Sequence, residues 1–470
     1  MFGGSGFGSN GCHLQRSARL PPEFTVSDSA TAAVSASERT DITATDRAVA
    51  RRVAVAAFVG TAMEWYDFFL FTTAAAVVFN VQYFVSDNAL TATMASFATL
   101  AVGFVARPLG ALLFGWLGDR VGRKAVLMTT IIGIGVSTVL IGLLPTYASI
   151  GLAAPVILAV LRVLQGLCVG GEWGGAVTIA AENAPASSRA VYASVPQLGS
   201  PVGTILSSGA FFLCSVLLTK DNFDAWGWRV PFLLALPMLA ISVVIRRQLE
   251  ESPAFKALQK EETVAEAPLR QVFRRDWRQL LIGAAVMFVG AGGFYLVTTF
   301  VISYGQRVLG LSSSLLLLAT VIAAVVEIPV IVTGGRLGQR YGSSRVVIGG
   351  ALATMALAFP VFWAIGTANP VIVVVAMTVG VAAVSYPYAV AGAVLTSLFP
   401  AQVRYSGVAV SANFAGLLSG CVPLIATAVL TETGDTLWPS AVILTLIGLI
   451  ALAGGLLAPR YSVTEAGLKH

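Results

Sequence analysis

Apolar residues run along this chain in stretches far longer than a soluble helix or strand needs, and the polar residues between them are bunched into short clusters. A helix that crosses a bilayer needs about 20 predominantly apolar residues. Twelve stretches reach that length, at residues 53–80, 90–117, 125–144, 150–178, 190–218 and 229–247, then at 279–304, 312–335, 346–366, 370–398, 406–430 and 437–458. This pattern predicts an all-α integral membrane protein with twelve transmembrane helices in two six-helix halves. Residues 1–46 are rich in Gly, Ser, Thr and Ala and contain nothing like a signal peptide, so a disordered tail is expected there. The first half takes residues 47–247 and the second 279–458, joined by a charged, helix-favouring linker at 248–278 and followed by a short tail at 459–470.

The halves are related by sequence. Between the second and third stretches stands a glycine-rich charged hairpin, Gly115 to Val126, reading GWLGDRVGRKAV. A shift of 220 positions lays it over GRLGQRYGSSRV, Gly335 to Val346, keeping Gly115/Gly335, Leu117/Leu337, Gly118/Gly338, Arg120/Arg340, Gly122/Gly342 and Val126/Val346. The second copy has Gln339 in place of the aspartate and Ser343-Ser344 in place of Arg-Lys, so it is not counted with the gating residues. Two parallel repeats of this kind place a substrate site near the membrane midplane between them.

Composition agrees with the pattern. The 470 residues are 56% hydrophobic and 11% charged, with a mean hydropathy of +0.83, whereas soluble domains are roughly 25% charged. A net charge of +6 admits a nucleic-acid partner in principle, but the basic residues sit in loops between apolar runs and read as topology; no nucleic-acid partner is expected. Of the 29 lysines and arginines, Arg107 and Arg162 lie mid-stretch and Lys220, Arg229 and Arg307 flank the turns after stretches five and seven. The others fall on the opposite side, which the positive-inside rule makes cytoplasmic. Both termini are therefore expected in the cytoplasm, with the protein in the cell's inner membrane. Cys12, Cys168, Cys214 and Cys421 show no paired spacing, so neither a disulfide framework nor a metal site is expected, and no cofactor. The two histidines, His13 and His470, lie in the tails, which leaves carboxylates to carry any proton relay. No phosphate-binding GxxxxGK[ST] loop is present, which disfavours an ATP-driven pump.

Charges inside the apolar stretches are the candidate chemistry. A carboxylate at the bilayer centre costs about 2.5–3.5 kcal/mol on insertion scales. The first stretch nevertheless carries GTAMEWYDFFLF, with Glu64 and Asp67 three residues apart on one helix face. At ~1.5 Å per residue, Glu64 lies roughly 18 Å beyond Arg52 and Arg107 about as far from Asp119, so the two share a depth. A carboxylate that pairs with and parts from a guanidinium changes its proton affinity, a device for coupling; the alternative is a permanent buried salt bridge that only fixes packing. The fourth stretch, LRVLQGLCVGGEWGGA, holds Arg162 near mid-depth, with glycines that admit close helix approach, and Glu172 deeper. Glu327 in the eighth stretch overlies Arg107 at the 220-residue shift. It either lines the same cavity from the other half or serves backbone freed near Pro329. Tyr295, Tyr386 and Tyr388 suit a polar cavity wall and equally suit packing.

The hairpin pattern GxLxDRxGRK resembles the loop between the second and third helices of the major facilitator superfamily. RxxQGxxxGGEWGGA and EWYDF are similar to its metabolite:proton symporter branch, which includes shikimate, α-ketoglutarate, citrate and proline/betaine carriers. GWRVPF at 227–232, LEESPAF at 249–255 and FPAQVRYSG at 399–407 match that branch's later motifs, so the resemblance covers nearly the whole chain. The resemblance implies the major facilitator fold and proton-driven uptake of a small organic acid or zwitterion. It puts Glu64 and Asp67 at proton-carrying positions and Arg107 and Arg162 at substrate or carboxylate-tuning ones. Glu172 joins the proton set or only packs; Tyr66, Gln165, Tyr295, Glu327 and Tyr386 complete the substrate set. Asp119, Arg120, Arg123 and Lys124 are assigned to gating, against the plainer reading that they set topology.

The expected function is import of a small carboxylate with protons by alternating access, by a monomer embedded in the lipid bilayer. A proton/osmolyte symporter is the runner-up, followed by an exporter and a non-transporting sensor. An enzyme is not expected, because the membrane stretches hold neither histidine nor a metal cluster.

Overall fold

Each long apolar run folds as a helix because no water is present in a bilayer core to satisfy open backbone groups. The computed structural model describes Met1 and residues 44–463, apart from 80–81, 85–88, 249–250, 252, 261–267 and 435. The first half comprises α1 (Ala44–Ala74), α2 (Ala89–Arg120), α3 (Arg123–Leu143), α4 (Ala153–Glu182), α5 (Gly199–Leu217) and α6 (Ala235–Arg247). The second comprises α7 (Trp277–Tyr295), α8 (Ser313–Tyr341), α9 (Ser343–Ile365), α10 (Pro370–Leu398), α11 (Arg404–Glu432) and α12 (Trp438–Tyr461). Ten helical spans among the described residues are long and apolar enough to cross a membrane; the helices around α2 and α5 fill the other two places of the twelve-stretch pattern.

Some detail departs from uninterrupted helices. The fifth stretch begins as a short helix, Arg189–Ser194, and passes through a 3-10 turn, Val195–Leu198, into α5. The sixth is likewise assembled from Gly227–Arg229, Val230–Leu233 and α6. Both halves place a π-helical turn after their first helix, Ala75–Phe79 after α1 and Leu296–Phe300 after α7, a distortion that often marks functional ground. The tail expected at 1–46 lies outside the described residues through position 43, and Ala44 already begins α1. The linker holds two short helices, Pro253–Lys260 and Pro268–Arg274. The tail expected at 459–470 falls outside the described residues from position 464, α12 running to Tyr461. Cys12, His13 and His470 also lie outside them, and Cys168, Cys214 and Cys421 are free thiols.

The duplication extends to geometry. Gly122 and Gly342, 220 positions apart, cap the N-termini of α3 and α9 with φ of 122° and 94°, a region where a Cβ would be strained. Within the first half, α2 and α4 approach closely, because a side chain at Gly166 or Gly170 would overlap the carbonyls of Gly103 or Arg107. Between halves, α2 packs along α11, and α8 along α5 and Arg189–Ser194. The halves also meet where α4 packs on α11 and α10 on Arg189–Ser194.

Candidate functional site

Three groups of polar residues are brought together, at different depths. The first is a closed network inside the first half. Asp67, on α1, accepts a hydrogen bond from Thr138 Oγ1 on α3 at 2.6 Å and another from Gln165 Nε2 on α4. Its second oxygen lies 3.5 Å from Arg162 Nη1. Arg162 donates to Gln165 Oε1 at 2.6 Å, and its guanidinium stands 4.0 Å over the Phe71 ring. Every member is buried. Gly103 makes this possible, since a side chain there would strike the Arg162 side chain.

The second group is open. Glu64 is buried, and its Oε2 has no hydrogen-bond partner among the described residues. Of the charged groups around Glu64, Arg107 exerts the strongest pull. Arg107, half-buried on α2, sits over the faces of Phe104 and Phe68, at 4.9 and 5.5 Å. No carboxylate among the described residues stands within salt-bridge distance of it. Tyr295 of α7 stacks on Phe68 at 5.3 Å, and Phe294 meets Phe69 edge-on at 5.7 Å, so the second half closes over this place with aromatic rings. Trp65 Nε1 and Tyr388 Oη face each other across the seam, and Glu327 Oε2 is buried with no hydrogen-bond partner among the described residues. Tyr388 lies in the electrostatic field of Glu327 from its own half and of Glu64 from the other. Gln197 links the halves nearby, accepting from Trp173 Nε1 and donating to the Tyr388 carbonyl, both at 2.9 Å.

Glu64 and Asp67 share one helix face by their spacing, and the structure divides their partners. Residues three apart on a helix differ by about 60° in direction, enough for Asp67 to turn into its own bundle while Glu64 lies nearer Arg107. Glu172 is also committed, paired with Arg246 of α6 and accepting from Thr130 Oγ1 at 2.7 Å. Tyr66 turns away from the centre, donating to the Pro231 carbonyl at 2.5 Å within an apolar cluster. Tyr386 stands beside Thr333, its hydroxyl 3.5 Å away, and Tyr388, two positions on, takes the place facing Trp65.

The third group closes the hairpin side. Asp119 Oδ2 accepts from the Ser406 amide at 2.9 Å and from its hydroxyl at 2.7 Å. Ser406 lies in the first turn of α11, so a carboxylate of one half caps a helix of the other. Arg123, wholly buried, donates to the Ala401 carbonyl at 3.0 Å and lies 3.5 Å from Asp119 and 3.7 Å from Glu182. Glu182 in turn pairs with Arg404 at 3.0 Å. Glu251 of the linker accepts from the Arg123 and Lys124 amides, capping α3. Arg120 is exposed over Trp116, and the Lys124 ammonium reaches the Arg247 carbonyl at 3.3 Å. The second hairpin copy keeps the same contact: Gln339 Oε1 accepts from the Ala190 amide at 3.0 Å, in the first turn of Arg189–Ser194. Glu182, Arg404, Ser406, Glu251 and Gln339 were not singled out from sequence. The motifs LEESPAF and FPAQVRYSG held three of them, and the hairpin repeat a fourth.

Comparison with known proteins agrees with this architecture. The family model described as Major Facilitator Superfamily matches residues 57–383. The inner membrane metabolite transport protein YhjE of Escherichia coli is 38% identical, over 82% of this chain and 88% of that one. The shikimate transporter of the same organism is 36% identical, over 86% and 93%. Among solved structures, the proton:xylose symporter XylE bound to 6-bromo-6-deoxy-D-glucose superposes with a TM-score of 0.68 at 17% identity, covering 88% of this chain and 96% of that one, a likeness of fold. The relatives are transporters and not enzymes, and the chain is a multi-pass membrane protein. It belongs to the major facilitator superfamily and, within it, to the metabolite:proton symporter family.

Proposed function

We propose that this transporter imports a small organic acid together with protons across the cytoplasmic membrane by alternating access, with both termini in the cytoplasm. The observation that carries the reading is Arg107, a half-buried guanidinium held by aromatic faces with no described carboxylate partner. A guanidinium is the preferred bidentate partner of a carboxylate. Glu64, whose Oε2 has no described partner and on which Arg107 pulls, supplies a protonation site, and Tyr388, in the field of Glu64, a further contact from the other half. Arg162 is a poorer substrate ligand, because Asp67 and Gln165 already occupy it.

Coupling follows from charge balance. A substrate anion on Arg107 and a proton on Glu64 arrive together with no net change in buried charge. Passing that proton from Glu64 to Asp67 then reaches three helices at once, since a neutral Asp67 gives up its hold on Arg162 while Glu64 regains its charge. The hairpin contacts close the cytoplasmic side in the state described, and import requires them to part. The supporting pattern is that they join α2 and α4 of one half to α11 of the other.

Uptake of a panel of labelled organic acids and betaines into proteoliposomes with an imposed pH gradient tests the reading. Accumulation of a carboxylate, driven by acid on the outside, is expected. Uptake of betaine alone overturns the substrate class, and acid uptake indifferent to the gradient overturns the coupling.

A further inference from the structure

A groove of about 330 Å³ opens where the two halves meet on the hairpin side, and no transport step uses it. Its walls are apolar: Pro108 and Leu112 from α2, Phe273 from the linker helix, Trp277 and Leu281 from α7, and Phe414 from α11. Phe273, Trp277, Leu281 and Phe414 are each between two-fifths and one-half exposed, as the side chains of a membrane span are where acyl chains cover them. The linker helix Pro268–Arg274 packs against both α2 and α11, with Val272 wholly buried beneath it, so the groove straddles the seam between the halves.

The rim is cationic. Arg270, Arg274, Arg275 and Arg278, all exposed, fall within nine residues of chain that also supply Phe273 and Trp277. Arg278 lies against the Trp277 ring at 5.4 Å. Asp276 is the one carboxylate in this stretch, partly buried and beside Arg275. Three of the arginines immediately precede or begin the span of α7, the level at which headgroups stand, and tryptophan is typical of that level.

We propose that this groove is a binding site for one anionic phospholipid of the leaflet on the hairpin side. One acyl chain lies between α2, α7 and α11, and the phosphate is held by the arginines at 270, 274, 275 and 278. The charge complementarity selects an anionic over a zwitterionic lipid, because the neighbouring Asp276 offsets only one of four positive charges. A basic side chain near an anionic surface contributes about fivefold in lipid preference.

The test is quenching of Trp277 by lipids brominated on the acyl chain. Full-length protein is reconstituted in phosphatidylcholine vesicles containing brominated phosphatidylglycerol or, in parallel, brominated phosphatidylcholine at the same mole fraction. The Trp277 contribution is the difference between wild type and Trp277→Phe. The expected result is that this contribution is quenched at a several-fold lower fraction of phosphatidylglycerol than of phosphatidylcholine. In Arg274→Gln/Arg275→Gln, which leaves two arginines, the preference disappears, while Arg274→Lys/Arg275→Lys retains most of it. Equal quenching by both lipids in wild type reduces the groove to ordinary bilayer contact and overturns the proposal. So does absence of quenching by either lipid.

Discussion

The two halves share a plan and differ in what they carry. Both use six helices, a π-helical turn after the first, and a hairpin that turns on a positive-φ glycine, Gly122 in one and Gly342 in the other. Yet among the described residues the buried charges of the helices gather in the first half, as Glu64, Asp67, Asp119, Arg123, Arg162, Glu172 and Arg246, against Glu327 in the second. The second half builds the same bundle from apolar packing, proline and serine or threonine hydroxyls, so ionic pairs are not what the architecture requires. The first half keeps charges that each cost several kcal/mol to bury. The comparison puts the proposed coupling chemistry in the first half, with Tyr295 and Tyr388 of the second meeting it across the seam.

The largest effect is expected from breaking the closed network. In Asp67→Asn the Arg162 guanidinium loses its only carboxylate among the described residues, and removing one partner of a buried pair costs about 3–5 kcal/mol. A lower thermal midpoint and loss of proton-driven accumulation are expected, with substrate exchange partly retained. Asp67→Asn/Arg162→Gln separates packing from coupling, since it removes both charges. Recovery of stability without recovery of accumulation is the expected outcome. If the double variant accumulates substrate against its gradient, the pair is a packing device and the first half loses its claim.

Next comes the open arginine. Arg107→Gln should leave stability within about 1 kcal/mol of wild type, because no described ion pair is broken and only contacts with Phe104 and Phe68 are lost, and yet weaken binding. A hydrogen bond to a charged group contributes about 1.5–3 kcal/mol, so apparent KM for a carboxylate rises ten- to a hundredfold in uptake kinetics. Arg107→Lys keeps the charge without the planar fork and falls between. An unchanged KM would return the substrate to Arg162 or to the second half.

Much of this was legible in the sequence, for identifiable reasons. Twenty-residue apolar runs leave little choice, so all twelve stretches fall on helices, although α1 begins at Ala44 and α8 runs to Tyr341, beyond their stretches, and Gly122 and Gly342 could be paired by their repeat. The division of Glu64 from Asp67 was not legible, because it depends on α3 and α4 supplying Thr138 and Gln165 to one side of α1. The buried pair Glu172–Arg246 and the bridge from Glu182 to Arg404 join residues 74 and 222 positions apart, and no local pattern encodes such partners. Gln339 misled for a different reason. Its departure from aspartate suggested a lost contact, but capping a helix amide needs an oxygen acceptor and not a charge, and the amide provides one.

The hairpins give a finer test of the same contrast. Asp119→Asn makes the first copy resemble the second, keeping an acceptor for the Ser406 amide but losing the charge facing the α11 N-terminus and Arg123. Partly buried charge–dipole contacts contribute up to about 2 kcal/mol, so the closed state should be depopulated several-fold to about thirtyfold. A single cysteine at Ser194, buried where α8 meets the fifth stretch, should then be labelled faster from the hairpin side. Unchanged labelling would leave these charges as topology signals.

The smallest effect expected is of opposite sign. Gln339→Glu gives the second copy the charge it lacks, at a cap already formed with the Ala190 amide at 3.0 Å and next in sequence to Arg189. An anion near a helix N-terminus contributes about 0.3–1 kcal/mol at an accessible position, which is at most about fivefold in the balance of closed and open states. Labelling of Ser194→Cys should slow by up to that factor. Turnover should also fall, because a gate held shut more firmly delays release, while apparent affinity at Arg107 stays the same. The effect should shrink as salt is raised, since Gln339 is only half-buried and screening reaches it. Faster labelling in Gln339→Glu would mean that the second hairpin opposes closure, and the symmetry between Asp119 on α11 and Gln339 on Arg189–Ser194 would then be one of shape without a shared role.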